Sequence, residues 1–152
     1  MTNRKYRSIG LGTSGYHHAL VKAGMAFSDI EDHLKWADDL YERINFYAVT
    51  ASMEIAKEKG SYDFFEGSDW ENGNYFDLRD YKDAKWNKLR EEVKANGLRN
   101  GYIMAIAPTG STSIIAATSA GVDPIMNRYF LEEKKGSILP SCLLYTSPSP
   151  RD

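Results

Sequence analysis

An apolar run, Tyr102-Ile103-Met104-Ala105-Ile106-Ala107, stops at Pro108 and passes through Thr109-Gly110-Ser111-Thr112-Ser113 into a second apolar run, Ile114-Ile115-Ala116-Ala117. Few chain geometries accommodate that order. Proline has no N–H to donate and ends a strand ladder, while Ser, Thr and Gly favour a helix start. The stretch therefore reads as a buried strand over 102–107, a tight turn, and a helix from about Ser111 to Ala117. At such a junction the first-turn N–H groups have no acceptor within the helix, and the helix dipole adds positive potential. The natural guest is a phosphate. Gly110 lets the backbone approach a ligand closely, and the hydroxyls both donate and accept. Thr109, Gly110, Ser111, Thr112 and Ser113 are thus the candidate phosphate-binding residues. An ordinary Ser/Thr cap without a ligand fits the same spacing, and spacing alone leaves both readings open. No lysine follows in the Gly-Lys-Ser/Thr order, so this is not a Walker loop.

The rest of the chain places that element in an α/β rhythm. Arg7–Leu11 reads as a short strand, followed by Gly12-Thr13-Ser14-Gly15 and a helix from Tyr16 to Lys22 that Gly24 ends. Ser28 and Glu31 fit a capping box, and a helical segment runs from there to about Lys59, closed by Gly60. Its apolar positions Ile30, Leu34, Ala37, Leu40, Tyr41, Ile44, Tyr47, Ala48, Ala51 and Ile55 recur at three and four, which predicts one buried stripe. Thirty residues is long for one globular helix and allows a kink. Residues 61–81 read as an ordered surface loop pinned by Phe64, Phe65, Trp70 and Tyr75. Ala84–Ala95 reads as a helix burying Trp86, Leu89 and Val93, with Gly97 past its end. Strand, helices, strand, helix is an α/β order; the pattern does not separate an open sheet from a barrel.

Composition narrows the function classes. A net charge of −2 gives no electrostatic case for nucleic acid or a membrane surface, and no apolar run approaches the ~20 residues of a membrane span. The N-terminus has no signal-peptide pattern, and 152 residues suffice for one compact domain. A single cysteine, Cys142, excludes an internal disulfide framework and a Cys-based zinc site, so a reducing, cytoplasmic setting is expected.

Other constellations have plainer readings. Gly10-Leu11-Gly12-Thr13-Ser14-Gly15 matches Gly-x-Gly-x-x-Gly, but Asp29 and Asp32 fall in a helix start rather than at the end of a second strand. Close strand–helix packing explains these glycines better than a dinucleotide site. His17 and His18 point about 100° apart on a helix and cannot share one metal as an i, i+4 pair does; with His33 they are assigned to packing or solvent. Glu132-Glu133-Lys134-Lys135 reads as a solvated face, and Arg99-Asn100 as a structural pair at the strand entry. Tyr41, Phe46, Tyr47, Phe64, Phe65 and Tyr129 are read as core packing.

Taken with its flanks, Asn96-Gly97-Leu98-Arg99-Asn100 and Thr118-Ser119-Ala120-Gly121-Val122-Asp123-Pro124-Ile125, the Pro108–Ser113 element resembles the large (catalytic) subunit of ribonucleotide reductase. Arg7–Gly12, Ser52–Gly60 and Tyr129–Gly136 carry the same resemblance, which runs from about Arg4 to Pro140. It implies a fragment of a ten-stranded α/β barrel, its later part, and reduction of ribonucleotides to 2′-deoxyribonucleotides through a thiyl radical. The loop at Thr109–Ser113 would hold the phosphates of the ribonucleotide substrate. The radical cysteine and the reducing pair would lie outside this segment, so no catalytic residue and no metal or cofactor is assigned within it. The Leu131–Gly136 stretch favours class I enzymes, which draw their radical from a metal-containing small subunit; a cobalamin-dependent class II relative is the alternative. A homodimer of the large subunit and nucleotide effectors are implied as well. Without the resemblance, the residues would support a non-catalytic phosphate- or nucleotide-binding α/β module. Residues 141–152, Ser141-Cys142-Leu143-Leu144-Tyr145-Thr146-Ser147-Pro148-Ser149-Pro150-Arg151-Asp152, break the pattern and resemble translated adapter read-through; they are expected to be a non-native tail.

Overall fold

The computed structural model describes residues 2–125, 129–134 and 136–142. Its elements are helices α1 (Thr2–Tyr6), α2 (Tyr16–Lys22), α3 (Ile30–Lys59), α4 (Asp69–Asn72), α5 (Asn74–Asp77), α6 (Ala84–Asn96) and α7 (Gly110–Ile115), then strands β1 (Tyr129–Lys134) and β2 (Ser137–Cys142). Two compact units emerge, one from Met1–Leu11 with Lys35–Ala105, the other from Gly12–Leu34 with Ile106–Asp152. No helix among the described residues is long and apolar enough to cross a membrane.

The first unit owes its core to aromatic residues. Tyr62, Phe65, Trp70, Phe76 and Trp86 cluster with Val49, Met53, Leu89, Val93, Leu98 and Ile103. Rings meet edge to face, as Phe46 and Trp86 do at 5.1 Å, or stack, as Tyr81 and Trp86 do at 3.9 Å. Burying each such large side chain contributes roughly 1.5–3 kcal/mol. Asp83 starts α6 by accepting the Trp86 N–H at 3.0 Å, and Trp86, Leu89 and Val93 are buried as their spacing predicts. Gly97 ends the helix at φ +77°, where an added Cβ would lie 2.7 Å from the Ser61 Cβ, so both conformation and space require glycine.

Helix α3 is continuous over thirty residues, with Glu31 and Asp32 in its first turn and Lys57 and Lys59 in its last, complementing the dipole. Two details differ from the sequence expectation. Asp29, not Ser28, occupies the cap: the His33 N–H bonds to the Asp29 carbonyl, and the Asp29 carboxylate accepts the Ala26 N–H at 3.1 Å. The buried row is also the neighbouring one, Asn45, Val49, Ser52, Met53 and Ala56, while Ile30, Leu34 and Tyr47 are 65%, 59% and 66% exposed. The aromatic cluster packs on the row next to the predicted one, about 100° around the helix. Residues 61–81 are ordered as expected but hold two short helices, α4 and α5, where the sequence reads as a loop. Ser68 caps α4, Trp70 and Phe76 are buried, and Phe64 stays exposed.

The expected strands over 7–11 and 102–107 meet in parallel, reduced to one bridge at Leu11 and Met104. Ile9 donates to the Tyr102 carbonyl, Leu11 to Ile103, and Ala105 to Leu11. The pairing slips by one residue between the first bond and the second, so the ladder does not extend. Asn100 ties the pair to its surroundings: its amide donates to the Arg7 carbonyl at 2.7 Å and its Oδ1 accepts from Ser52 Oγ at 2.9 Å. Arg99 donates to the carbonyls of Lys59 and Gly60, covering the end of α3. The structural reading of Arg99 and Asn100 fits these bonds.

In the second unit, Tyr16, Phe27 and His33 form a small aromatic cluster, with Phe27 and His33 centroids 4.6 Å apart. Strands β1 and β2 pair antiparallel, from Tyr129 opposite Cys142 to Lys134 opposite Ser137. The expected charged face at 132–135 thus falls on a hairpin whose Lys135 lies outside the described residues. Strand β2 runs through Ser141 and Cys142, and residues 143–152 of the expected tail lie outside the described residues.

Candidate functional site

The Thr109–Ser113 turn folds as the sequence suggests, at a helix start, with Gly110 as the first residue of α7 and Thr109 at its cap position. Ser113 N–H bonds to the Thr109 carbonyl at 2.8 Å, the first bond of the turn. The N–H groups of Gly110, Ser111 and Thr112 precede any acceptor that the helix can offer. A threonine at this position ordinarily turns its oxygen onto one of those groups. Thr109 makes no such bond. Its Oγ1 instead accepts the Gly121 N–H at 2.7 Å and donates to Ser14 Oγ at 3.3 Å.

The five candidate residues therefore divide in two. The hydroxyls of Thr109 and Ser113 are engaged within the protein, Ser113 being buried with its Oγ donating to the Gly110 carbonyl at 2.8 Å. The side chains of Ser111 and Thr112 are exposed. Helix α7 then closes with the Ala117 N–H on the Ile114 carbonyl and the Thr118 N–H on the Ser113 carbonyl, a Schellman pattern. Ala117 takes the left-handed conformation, φ +50°, at the position where glycine is usual.

That close presents residues 118–121 to the Gly12–Gly15 turn. Gly15 donates to the Ser119 carbonyl at 2.8 Å and Tyr16 to the Gly121 carbonyl at 3.3 Å. Ser14 Oγ donates to the same Ser119 carbonyl at 3.1 Å. His18 Nδ1 lies 3.0 Å from Thr118 Oγ1, and the His18 N–H donates to Ser119 Oγ at 3.3 Å. Gly15 sits at φ +86° with Thr118 against the place a Cβ would occupy. Packing thus explains the glycine of this turn, as expected, but the turn also reaches the phosphate-type loop. Local spacing could not reveal that, because Ser14 and Thr109 are 95 residues apart.

His17 and His18 part company as their 100° separation requires. His17 Nδ1 accepts the Ile125 N–H at 2.8 Å, and burial, then the nearby His33, holds its pKa below the usual histidine value. Among the described residues no three His, Cys, Asp or Glu side chains cluster as a metal site.

Comparison with known proteins gives one family and several relatives. Residues 1–145 match the family described as ribonucleotide reductase, barrel domain. The chain is 53% identical over 156 residues to the ribonucleoside-diphosphate reductase subunit alpha of Treponema pallidum, covering 97% of this chain and 18% of that protein. It is 39% identical over 152 residues to the subunit of the same name from Helicobacter pylori, covering 91% of this chain and 19% of the relative. The Synechocystis subunit alpha is 34% identical over 145 residues, covering 90% and 18%. The chain thus spans about a fifth of the length of the relatives it matches.

Proposed function

We propose a function from one premise: this chain belongs to the ribonucleotide reductase barrel-domain family. In our reading it is a segment of a ribonucleoside-diphosphate reductase alpha subunit, which reduces ribonucleotides to 2′-deoxyribonucleotides through a thiyl radical. The segment's part is to hold the substrate's phosphates. The N–H groups of Gly110, Ser111 and Thr112 and the hydroxyls of Ser111 and Thr112 face the phosphate oxygens, while Thr109 and Ser113 shape the loop through their internal bonds. Anchoring the remote phosphates fixes the ribose against the radical cysteine, which lies elsewhere in the subunit, so binding energy is spent on position. A class I enzyme is the reading we adopt, with a radical-generating beta subunit as partner, because the relatives above are named subunit alpha. No step assigned to this segment passes through a metal or a cobalamin.

The observation that carries the phosphate reading is the unused cap. Thr109 spends its hydroxyl on Gly121 and Ser14 and leaves its own helix start without a side-chain acceptor. The test is Ser111→Ala in the full-length subunit. Loss of one hydrogen bond to a charged oxygen should weaken ribonucleoside-diphosphate binding by about 1.5–3 kcal/mol, measured by equilibrium titration. Unchanged affinity would remove Ser111 from the site.

A further inference from the structure

We infer that Ser14 is a positioning residue for the phosphate loop, holding the Thr109 hydroxyl away from helix α7 so that the loop's N–H groups stay free for the ligand. The inference rests on the phosphate reading above and adds to it a residue from a separate turn.

Proton directions decide what Ser14 does. Each hydroxyl has one proton to give. Ser14 gives its proton to the Ser119 carbonyl at 3.1 Å, which leaves its oxygen as an acceptor. Thr109 gives its proton to that oxygen at 3.3 Å, and Thr109 Oγ1 in turn accepts the Gly121 N–H at 2.7 Å. The result is a one-way chain from the Gly121 N–H through Thr109 and Ser14 to the Ser119 carbonyl. Ser14 is itself held in place by backbone, since Gly15 donates to the same Ser119 carbonyl and Tyr16 to that of Gly121. His18 fixes the far side through Thr118 and Ser119.

Remove the Ser14 hydroxyl and the Thr109 proton loses its acceptor. Held then by the Gly121 N–H alone, the Thr109 hydroxyl can turn to accept from the N–H of Ser111 or Thr112 once its backbone shifts from φ −103°, ψ +26° to the extended conformation of a cap. That bond would withdraw a donor the phosphate needs. Ser14 reaches the loop through the Thr109 hydroxyl, so its effect falls on phosphate affinity.

The experiment uses the full-length alpha subunit with its partner subunit. Ser14→Ala, Ser14→Thr and Ser111→Ala are compared for binding of a ribonucleoside diphosphate and for inhibition by the matching ribonucleoside. We expect Ser14→Ala to raise the diphosphate Kd about three- to tenfold, the scale of one neutral hydrogen bond. Nucleoside inhibition should not change, and Ser14→Thr, which keeps the hydroxyl at an exposed position, should restore the Kd. An unchanged Kd in Ser14→Ala with a raised Kd in Ser111→Ala overturns the role of Ser14 and leaves the phosphate reading standing. Unchanged values in both variants overturn the two together. Equal weakening for nucleoside and diphosphate, or no recovery in Ser14→Thr, marks general damage and also overturns the inference.

Discussion

His17 accepts the Ile125 N–H through Nδ1 at 2.8 Å, which a protonated imidazole cannot do. Burial and the neighbouring His33 both lower its pKa, so the folded protein favours the neutral ring more than the unfolded chain does. A depressed histidine pKa contributes stability that is fully present above the unfolded value of about 6.5. It is lost as pH falls through the lowered folded value. We therefore expect the Ile125 amide, read by hydrogen exchange corrected for its intrinsic pH dependence, to lose protection as pH drops below about 6.5. In His17→Asn, whose side-chain oxygen accepts at every pH, that dependence should vanish. A slope that survives the substitution would place the titrating group elsewhere. The same scale shows what the sequence could tell of the loop. Pro108, Gly110 and the hydroxyl residues announce a strand end and a helix start by their own backbone chemistry. Which hydroxyls stay free is decided by Ser14, Ser119 and Gly121, whose approach to Thr109 depends on tertiary folding.

Among the elements, α6 was the most legible, because apolar spacing, an Asp cap and a terminal glycine agree on one answer. Asp83 accepts the Trp86 N–H, so Asp83→Ala should cost about 1 kcal/mol. Hydrogen exchange would show it as roughly fivefold lower protection in the first turn of α6, with little change in α7. Equal protection would mean that Lys85, paired with Glu42 at 2.8 Å, and the Trp86 Nε1–H bond to Glu42 at 2.6 Å hold the helix start without the cap. Helix α3 was legible in extent but not in orientation. Its apolar residues cover more than one row, and periodicity cannot say which row meets the Trp70, Phe76 and Trp86 cluster. Polar Asn45 belongs to the buried row because its amide bridges two tyrosines, accepting from Tyr75 Oη at 2.9 Å and donating to Tyr81 Oη at 3.3 Å. A hydropathy pattern scores such a residue as exposed. The short strands were overestimated for a related reason: strand propensity at 7–11 and 102–107 is realised only as far as a partner stays in register, and one bridge is all that does.

At the scale of the molecule, the chain is a part whose family assigns it to a barrel. Ile9, Leu11 and Tyr102 on the parallel pair are exposed, a surface that parallel sheets ordinarily bury on both faces. The family was legible because Pro108–Ser113 carries its flanking segments with it. The α/β barrel expected with it goes beyond the described residues, which are mostly helical, and the division into two compact units has no marker in composition. The central claim is that the 109–113 loop receives the substrate's phosphates. It is tested most directly by determining the full-length alpha subunit's structure with a ribonucleoside diphosphate bound. We expect phosphate oxygens within hydrogen-bonding distance of the N–H groups of Gly110, Ser111 and Thr112, with Thr109 still bonded to Ser14 and Gly121. Phosphates seated on other residues, with this loop empty or Thr109 turned onto its own helix, would contradict the account.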